Sequence, residues 1–260
     1  MDMDFQRPDG EYVKYSCKEC LDGLDLGIPF SMAFQAIVNI SEKNIYSFEA
    51  LVRGENGESA GSILSRITSK NIYKFDQSIR VRAIDFATRL DMKTFLNINF
   101  YPNAVYRPET CIRTTIEACE EYGFPIDKII MEVTEVEKVK DYTHLKNIFQ
   151  EYKRIGLHTA IDDFGEGYSN LNLLAEFQPE LLKVDMNLIR DIDKNRVKRV
   201  ILKAIADVCE QLDIKLIAEG IETKEEKNVL EDMGIKYMQG YFFAKPVFEN
   251  LSKVEDIKFS

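Results

Sequence analysis

TAIDDFGEGYSNLNLLAEFQPELLKVD (residues 159–185) holds two short apolar runs, Thr159–Asp163 and Leu181–Asp185, each ending on charged side chains. A glycine-bearing turn and a longer segment separate them. Short apolar runs of this kind read as buried β-strands. The same unit recurs on both sides of the stretch, in Ala33–Ile40, Ile45–Val52, Thr94–Asn99, Ile129–Val133, Leu216–Glu219 and Tyr237–Gly240. Longer helical patterns lie between these runs, and no Pro/Gly/Ser-rich linker divides them. Such alternation is the signature of βαβ units, and eight strands predict a closed α/β barrel.

Two of the intervening stripes recur at three- and four-residue steps, as amphipathic helices do. One runs through Phe75, Ile79, Ala83, Phe86 and Leu90, the other through Val197, Val200, Ala204, Ile205, Val208 and Leu212. Pro108, and Thr223 with Glu226 three residues on, read as helix starts. The expected organisation is a single barrel domain over 31–250. An irregular lead-in over 1–30 packs across it, and 251–260 form a short tail.

At 260 residues and 45% apolar content, the chain can bury a full core. Its formal charge of −10 argues against a broad basic surface for polymeric nucleic acid. No basic segment leads into an apolar run near Met1, and no stretch approaches the ~20 apolar residues that cross a bilayer. The expected location is therefore the cytoplasm, with no membrane partner. Five cysteines without dense spacing suit a reducing compartment. Cys17 and Cys20 form a lone C-x-x-C that lacks two further zinc ligands nearby.

The polar residues fall at the ends of the apolar runs, at Glu49, Asn99, Glu132, Asp162 with Asp163, Lys183 with Asp185, Glu219 and Gln239. In an α/β barrel the carboxyl ends of the strands form the face that holds the active site. One acidic residue at a strand end usually caps a helix or meets solvent. Several converging carboxylates raise one another's pKa unless cations neutralise them. Glu49, Glu132, Asp162, Asp163 and Glu219, with the amide of Asn99, are all hard oxygen donors, which point to Mg²⁺ or Mn²⁺ rather than zinc. The adjacent aspartates suit two ions roughly 3.5–4 Å apart, with one carboxylate bridging, an arrangement that hydrolyses phosphodiesters.

Lys183, inside an apolar run, either snorkels to an edge or points into the site, where it would hold a water or stabilise phosphate charge. Arg53 is a candidate phosphate clamp or an ordinary surface pair. The segment following Asp163 reads as a mobile loop. The histidines contribute little, since His144 lies in a helical pattern and His158 opens a strand at the far end of the barrel.

These residues carry a resemblance to the EAL family of cyclic-di-GMP phosphodiesterases. The motifs are EALVR (49–53), NINFYP (97–102), MEVTE (131–135), IDDFGEGYSNL (161–171), LLKVD (181–185), IAEGIET (217–223) and MQGYFFAKP (238–246), in family order. The resemblance implies a modified TIM barrel whose first strand can run antiparallel. It also implies hydrolysis of one phosphodiester of cyclic di-GMP to the linear dinucleotide with two Mg²⁺ or Mn²⁺ ions, and a homodimer.

Matched residue by residue, it gives Glu49, Asn99, Glu132, Asp162, Asp163 and Glu219 as metal ligands. Glu49, Lys183, Glu219 and Asp163 carry catalysis, with Lys183 on the attacking water. Gln35, Arg53 and Gln239 contact substrate, and Glu135 and Glu222 steady the loop. Two departures stand out, FQAIV where YQPIV is commoner and Glu166 in the loop. Two other readings remain open, a non-catalytic cyclic-di-GMP receptor and a barrel enzyme stabilising an enolate on Mg²⁺.

Overall fold

The computed structural model describes residues 4–6, 12–14, 28–68, 71–105, 107–134, 142–165 and 171–260. Near the amino terminus, β1 (Asp4–Gln6) and β2 (Tyr12–Lys14) pair antiparallel, so the lead-in is not wholly irregular. Eight strands then close a barrel, namely β3 (Ser31–Asn39), β4 (Asn44–Arg53), β5 (Phe95–Phe100), β6 (Ile129–Thr134), β7 (His158–Phe164), β8 (Leu181–Val184), β9 (Lys215–Ala218) and β10 (Tyr237–Met238). From β4 to β10 each strand runs parallel to the next. β3 runs antiparallel to both its neighbours, β4 and β10, as the family resemblance allows and periodicity cannot reveal. β11 (Val247–Phe248) adds to the start of β3.

The helices are α1 (Ala60–Leu64), α2 (Ile72–Arg89), α3 (Pro108–Cys111), α4 (Arg113–Tyr122), α5 (Tyr142–Arg154), α6 (Leu171–Glu176), α7 (Met186–Ile189), α8 (Arg196–Gln211) and α9 (Lys224–Asp232). Pro108 opens α3, and Thr223 caps α9 through the expected box with Glu226. α2 buries Phe75, Ile79, Ala83 and Phe86, the stripe read from the sequence. α8 requires a correction. Its core face centres on Leu202 and Cys209, whereas Val197, Val200 and Leu212 are exposed. That helix carries two apolar faces, and periodicity alone does not say which one is buried.

Inside the barrel the side chains stack in layers, because alternate residues of a strand share a face. Ile37, Ile130, Ala160, Leu181 and Ile217 form a closed apolar layer, with Tyr46, Phe95 and Tyr237 packed against it. Two residues further along β5 to β10 stand Asn97, Glu132, Asp162, Lys183, Glu219 and Gln239, whereas on β4, whose register with β3 is irregular there, Glu49 stands three beyond Tyr46. On the reversed strand β3 the same step runs backwards, from Ile37 to Gln35. The apolar layer thus floors a polar one. The polar residues are therefore not all strand ends, since β4 continues four residues past Glu49 to Arg53 and pairs with β3 over that whole length. The expected tail also folds back, with Ile257 buried and Lys258 N–H donating to the Phe243 carbonyl at 3.3 Å.

Candidate metal centre

Lys183 is fully buried, and its Nζ lies 2.8 Å from Glu219, 3.1 Å from Glu132 and Asp162, and 3.4 Å from Glu49. It points into the site and does not snorkel. Asn97 Nδ2 donates to Glu132 Oε1 at 2.5 Å, fixing the carboxylate so that its other oxygen meets Lys183. Glu49 is held from two sides, by Asn99 Nδ2 at 3.1 Å and Gln239 Nε2 at 2.7 Å. Gln239 also donates to Gln35 Oε1 at 3.3 Å. Gly240 follows because any side chain there would collide with the Ile221 backbone, its Cβ falling 2.1 Å from the carbonyl oxygen.

Regular strand geometry would send Asp163 to the face opposite Asp162. The structure avoids this by a local distortion. Asp163 has φ +55°, in the left-handed region that costs a non-glycine residue of order 1–3 kcal/mol. The β7–β8 register shifts between Ile161 and Phe164 at the same place. Asp163 N–H donates to Asp162 Oδ1 at 2.9 Å, and both carboxylates line one cavity.

Two acidic groups result, Glu49–Glu132–Asp162 and Asp162–Asp163–Glu219, each with oxygens within 4.8 Å of one another. Asp162 belongs to both. Burial pushes Glu132 up to about 8, with Lys183 opposing and Asp162 and Glu49 adding to the rise. Glu219 is raised well above the usual carboxylate range, by burial first and then by Asp162. Burial alone would lower Lys183, but the four carboxylates outweigh it and hold it charged.

Asn99 Oδ1 is buried and has no hydrogen-bond partner. An orphaned amide oxygen beside carboxylates that resist ionisation fits a hard divalent cation, which takes oxygen donors and relieves the repulsion. Five carboxylates and one ammonium leave four negative charges, which two divalent ions would cancel.

The cavity has a volume of about 660 Å³, within the range of small-molecule sites. Gln35, Glu49, Asn99, Asp162, Asp163, Lys183, Glu219 and Gln239 face it on the polar side. Glu132 lies beneath, fully buried. Apolar groups such as Met32, Phe75 and Ile79 also line it. Arg53 closes β4, but its Nη1 donates to the Val52 carbonyl at 2.7 Å and it is not among the lining residues. Glu222 is on the rim, paired with Arg190. Asp185 caps α7 by accepting from Asn187 N–H at 2.8 Å. Glu135, Glu166, Cys17 and Cys20 lie outside the described residues. His158 stacks edge-on against Phe95 at the floor, and His144 Nε2 meets the Val105 carbonyl.

Sequence reasoning passed over Asn97. It sits one alternation below Asn99 on β5, and two asparagines two apart in an apolar strand are the signal for it.

The family pattern described as EAL domain matches residues 27–246. The cyclic-di-GMP-bound form of a standalone versatile EAL protein from Vibrio cholerae O395 superposes with a TM-score of 0.85 at 51% identity, covering 87% of this chain and 95% of that one. The manganese and cyclic-di-GMP complex of Klebsiella pneumoniae BlrP1 superposes at 0.82 with 32% identity, covering 97% of this chain and 60% of BlrP1. The blue light- and temperature-regulated antirepressor BluF of Escherichia coli (strain K12) is 28% identical over 223 residues, 85% of this chain. Those residues are 55% of BluF, so the chain spans little more than half of that protein's length.

Proposed function

This chain belongs to the EAL domain family, and on that premise we propose that it hydrolyses one phosphodiester bond of cyclic di-GMP to linear pGpG. The observation that carries the reading is the pair of acidic groups sharing Asp162, with the orphaned Asn99 oxygen on the same cavity wall. Glu49, Asn99, Glu132, Asp162, Asp163 and Glu219 would hold two ions, Mg²⁺ or Mn²⁺. When bound, these would lower the pKa of the attacking water so that it ionises near neutral pH, and would supply positive charge for the leaving oxygen.

The chain's own residues do the rest. Lys183 gathers the carboxylates around its ammonium and, beside bound cations, would donate to the attacking water. Gln35 and Gln239 orient the phosphodiester above Glu49, and Arg53 clamps phosphate after leaving the Val52 carbonyl. Glu135 and Glu222 steady the loop that follows Asp163. Water adds its oxygen to phosphorus, the P–O3′ bond breaks, and the ribose oxygen departs with a proton.

The reaction belongs in the cytoplasm, and no helix among the described residues is long and apolar enough to cross a membrane. A homodimer is part of the proposal, since the outer face of α8 exposes Val197, Val200 and Ile201. Sedimentation tests it, a monomer at micromolar concentration counting against it.

The likeness to an antirepressor favours a second reading, a receptor that binds cyclic di-GMP without turnover and signals to a protein. Incubation of the pure protein with cyclic di-GMP and Mn²⁺, followed by chromatography, separates the two. Appearance of pGpG supports the enzyme, and tight binding without product supports the receptor.

A further inference from the structure

Helix α2 carries a buried ion pair that the proposed reaction does not use. Asp76 and Arg80, one helical turn apart, are both 0% exposed and directly bonded. Asp76 Oδ1 accepts the backbone N–H of Tyr101 at 2.8 Å. Arg80 Nη1 donates to the Tyr152 hydroxyl at 3.3 Å, and the guanidinium lies over the Phe100 ring, 5.6 Å from its centroid. Phe100 in turn meets the Tyr152 ring edge-on at 5.5 Å.

The pair therefore joins α2 and α5 to the end of β5. That end is where ladder pairing runs out. β5 pairs with β4 only as far as Ile98 and with β6 as far as Phe100, and Tyr101 N–H lies beyond both. Asn99 stands between these limits, bonded to Glu49 and holding its own oxygen unpartnered.

A buried ion pair adds little net stability over apolar residues of similar volume, so its energetic case is weak and its directional one stronger. A carboxylate offers two oxygens at a fixed angle: here Oδ1 accepts from Tyr101 N–H, and Oδ2 accepts from Arg80 and, at 3.3 Å, from Gln77 Nε2. We propose that Asp76, oriented by Arg80, is a positioning residue that clamps the end of β5 so that the Asn99 oxygen faces the cation site. This rests on the reading of Asn99 as a cation ligand.

Two charge-free double variants isolate the clamp. Asp76→Asn/Arg80→Met keeps an acceptor for Tyr101 N–H, and Asp76→Leu/Arg80→Met removes it. Neither leaves a lone buried charge. Mn²⁺ affinity is read by titration calorimetry and the fold by melting in EDTA. The expected result is Mn²⁺ binding at least about tenfold weaker in the leucine variant than in the asparagine variant, the size typical of losing a group that orients a ligand, with similar melting in EDTA. Equal affinities would overturn the proposal. Where the leucine variant does not fold, Asp76→Ala/Arg80→Met replaces it with the same two outcomes. Wild-type protein and Glu49→Ala run alongside. Wild type that binds no Mn²⁺ refutes the cation reading itself, whereas wild-type binding with equal double variants refutes the clamp alone.

Discussion

Replacing Lys183 by methionine removes the ammonium around which Glu49, Glu132, Asp162 and Glu219 converge within 3.4 Å, while keeping a side chain of similar length. Without cations the four carboxylates face one another in a layer of which Glu132 is fully buried and the other three border the cavity. Removing one partner of a buried ionic group costs about 3–5 kcal/mol. For a chain of this size each kcal/mol displaces the melting temperature by about 2–4 °C, so Lys183→Met should melt about 6–20 °C below wild type in EDTA. Cations act oppositely. The variant site is one unit more negative, so Mn²⁺ binds more tightly, and a free concentration about 100 times the dissociation constant returns about 2.7 kcal/mol. Calorimetry in EDTA and in Mn²⁺ should therefore show a larger cation-induced rise in the variant. Turnover should fall at least about a hundredfold, the ordinary contribution of a positioned proton-donating group. A metal-free variant melting within ~2 °C of wild type would refute the idea that Lys183 holds the carboxylates together.

Glu49→Ala should abolish turnover through cation loss, checked by product chromatography with metal analysis, and wild-type activity would remove Glu49 from the ligand set. Asn97→Leu strands Glu132 Oε1 without its donor, costing about 1–3 kcal/mol by denaturant melting and weakening Mn²⁺ binding about tenfold or more by calorimetry. A variant with unchanged affinity would show that Glu132 needs no such support. Glu132 and Glu219 have folded pKa values raised above their unfolded ones, so metal-free stability from them is full at low pH and is lost as pH rises, through about 8 for Glu132. Cations compete with those protons, and the Mn²⁺-induced rise in melting temperature should grow between pH 5.5 and 8.5. A rise independent of pH would mean that these carboxylates do not hold the ion.

Much of this site was readable from the chain because of a single period. Ile130 and Glu132, Ala160 and Asp162, Leu181 and Lys183, and Ile217 and Glu219 each place a polar group one alternation beyond an apolar floor residue. The eight strands were legible as short apolar runs set between helical patterns. Alternation failed where geometry departs from the period. Asp163 faces the cavity through a left-handed residue, and β3 runs backwards, so that Gln35 precedes its floor residue rather than following it. The N-x-N spacing on β5 points to Asn97 but not to its partner Glu132, 35 positions away, and the role of the Asp76–Arg80 pair depends on a contact with Tyr101 across 25 positions, which no local pattern encodes. On α8 the apolar period runs through exposed Val197 and Val200 as well as Ile205, which packs on the core, so the period does not say which part of the stripe is covered.

The central claim is that the carboxylate layer performs chemistry rather than only binding. Pure protein incubated with cyclic di-GMP should yield linear pGpG when Mg²⁺ or Mn²⁺ is present and none in EDTA. Cyclic di-GMP bound at saturating Mn²⁺ and recovered intact would contradict it.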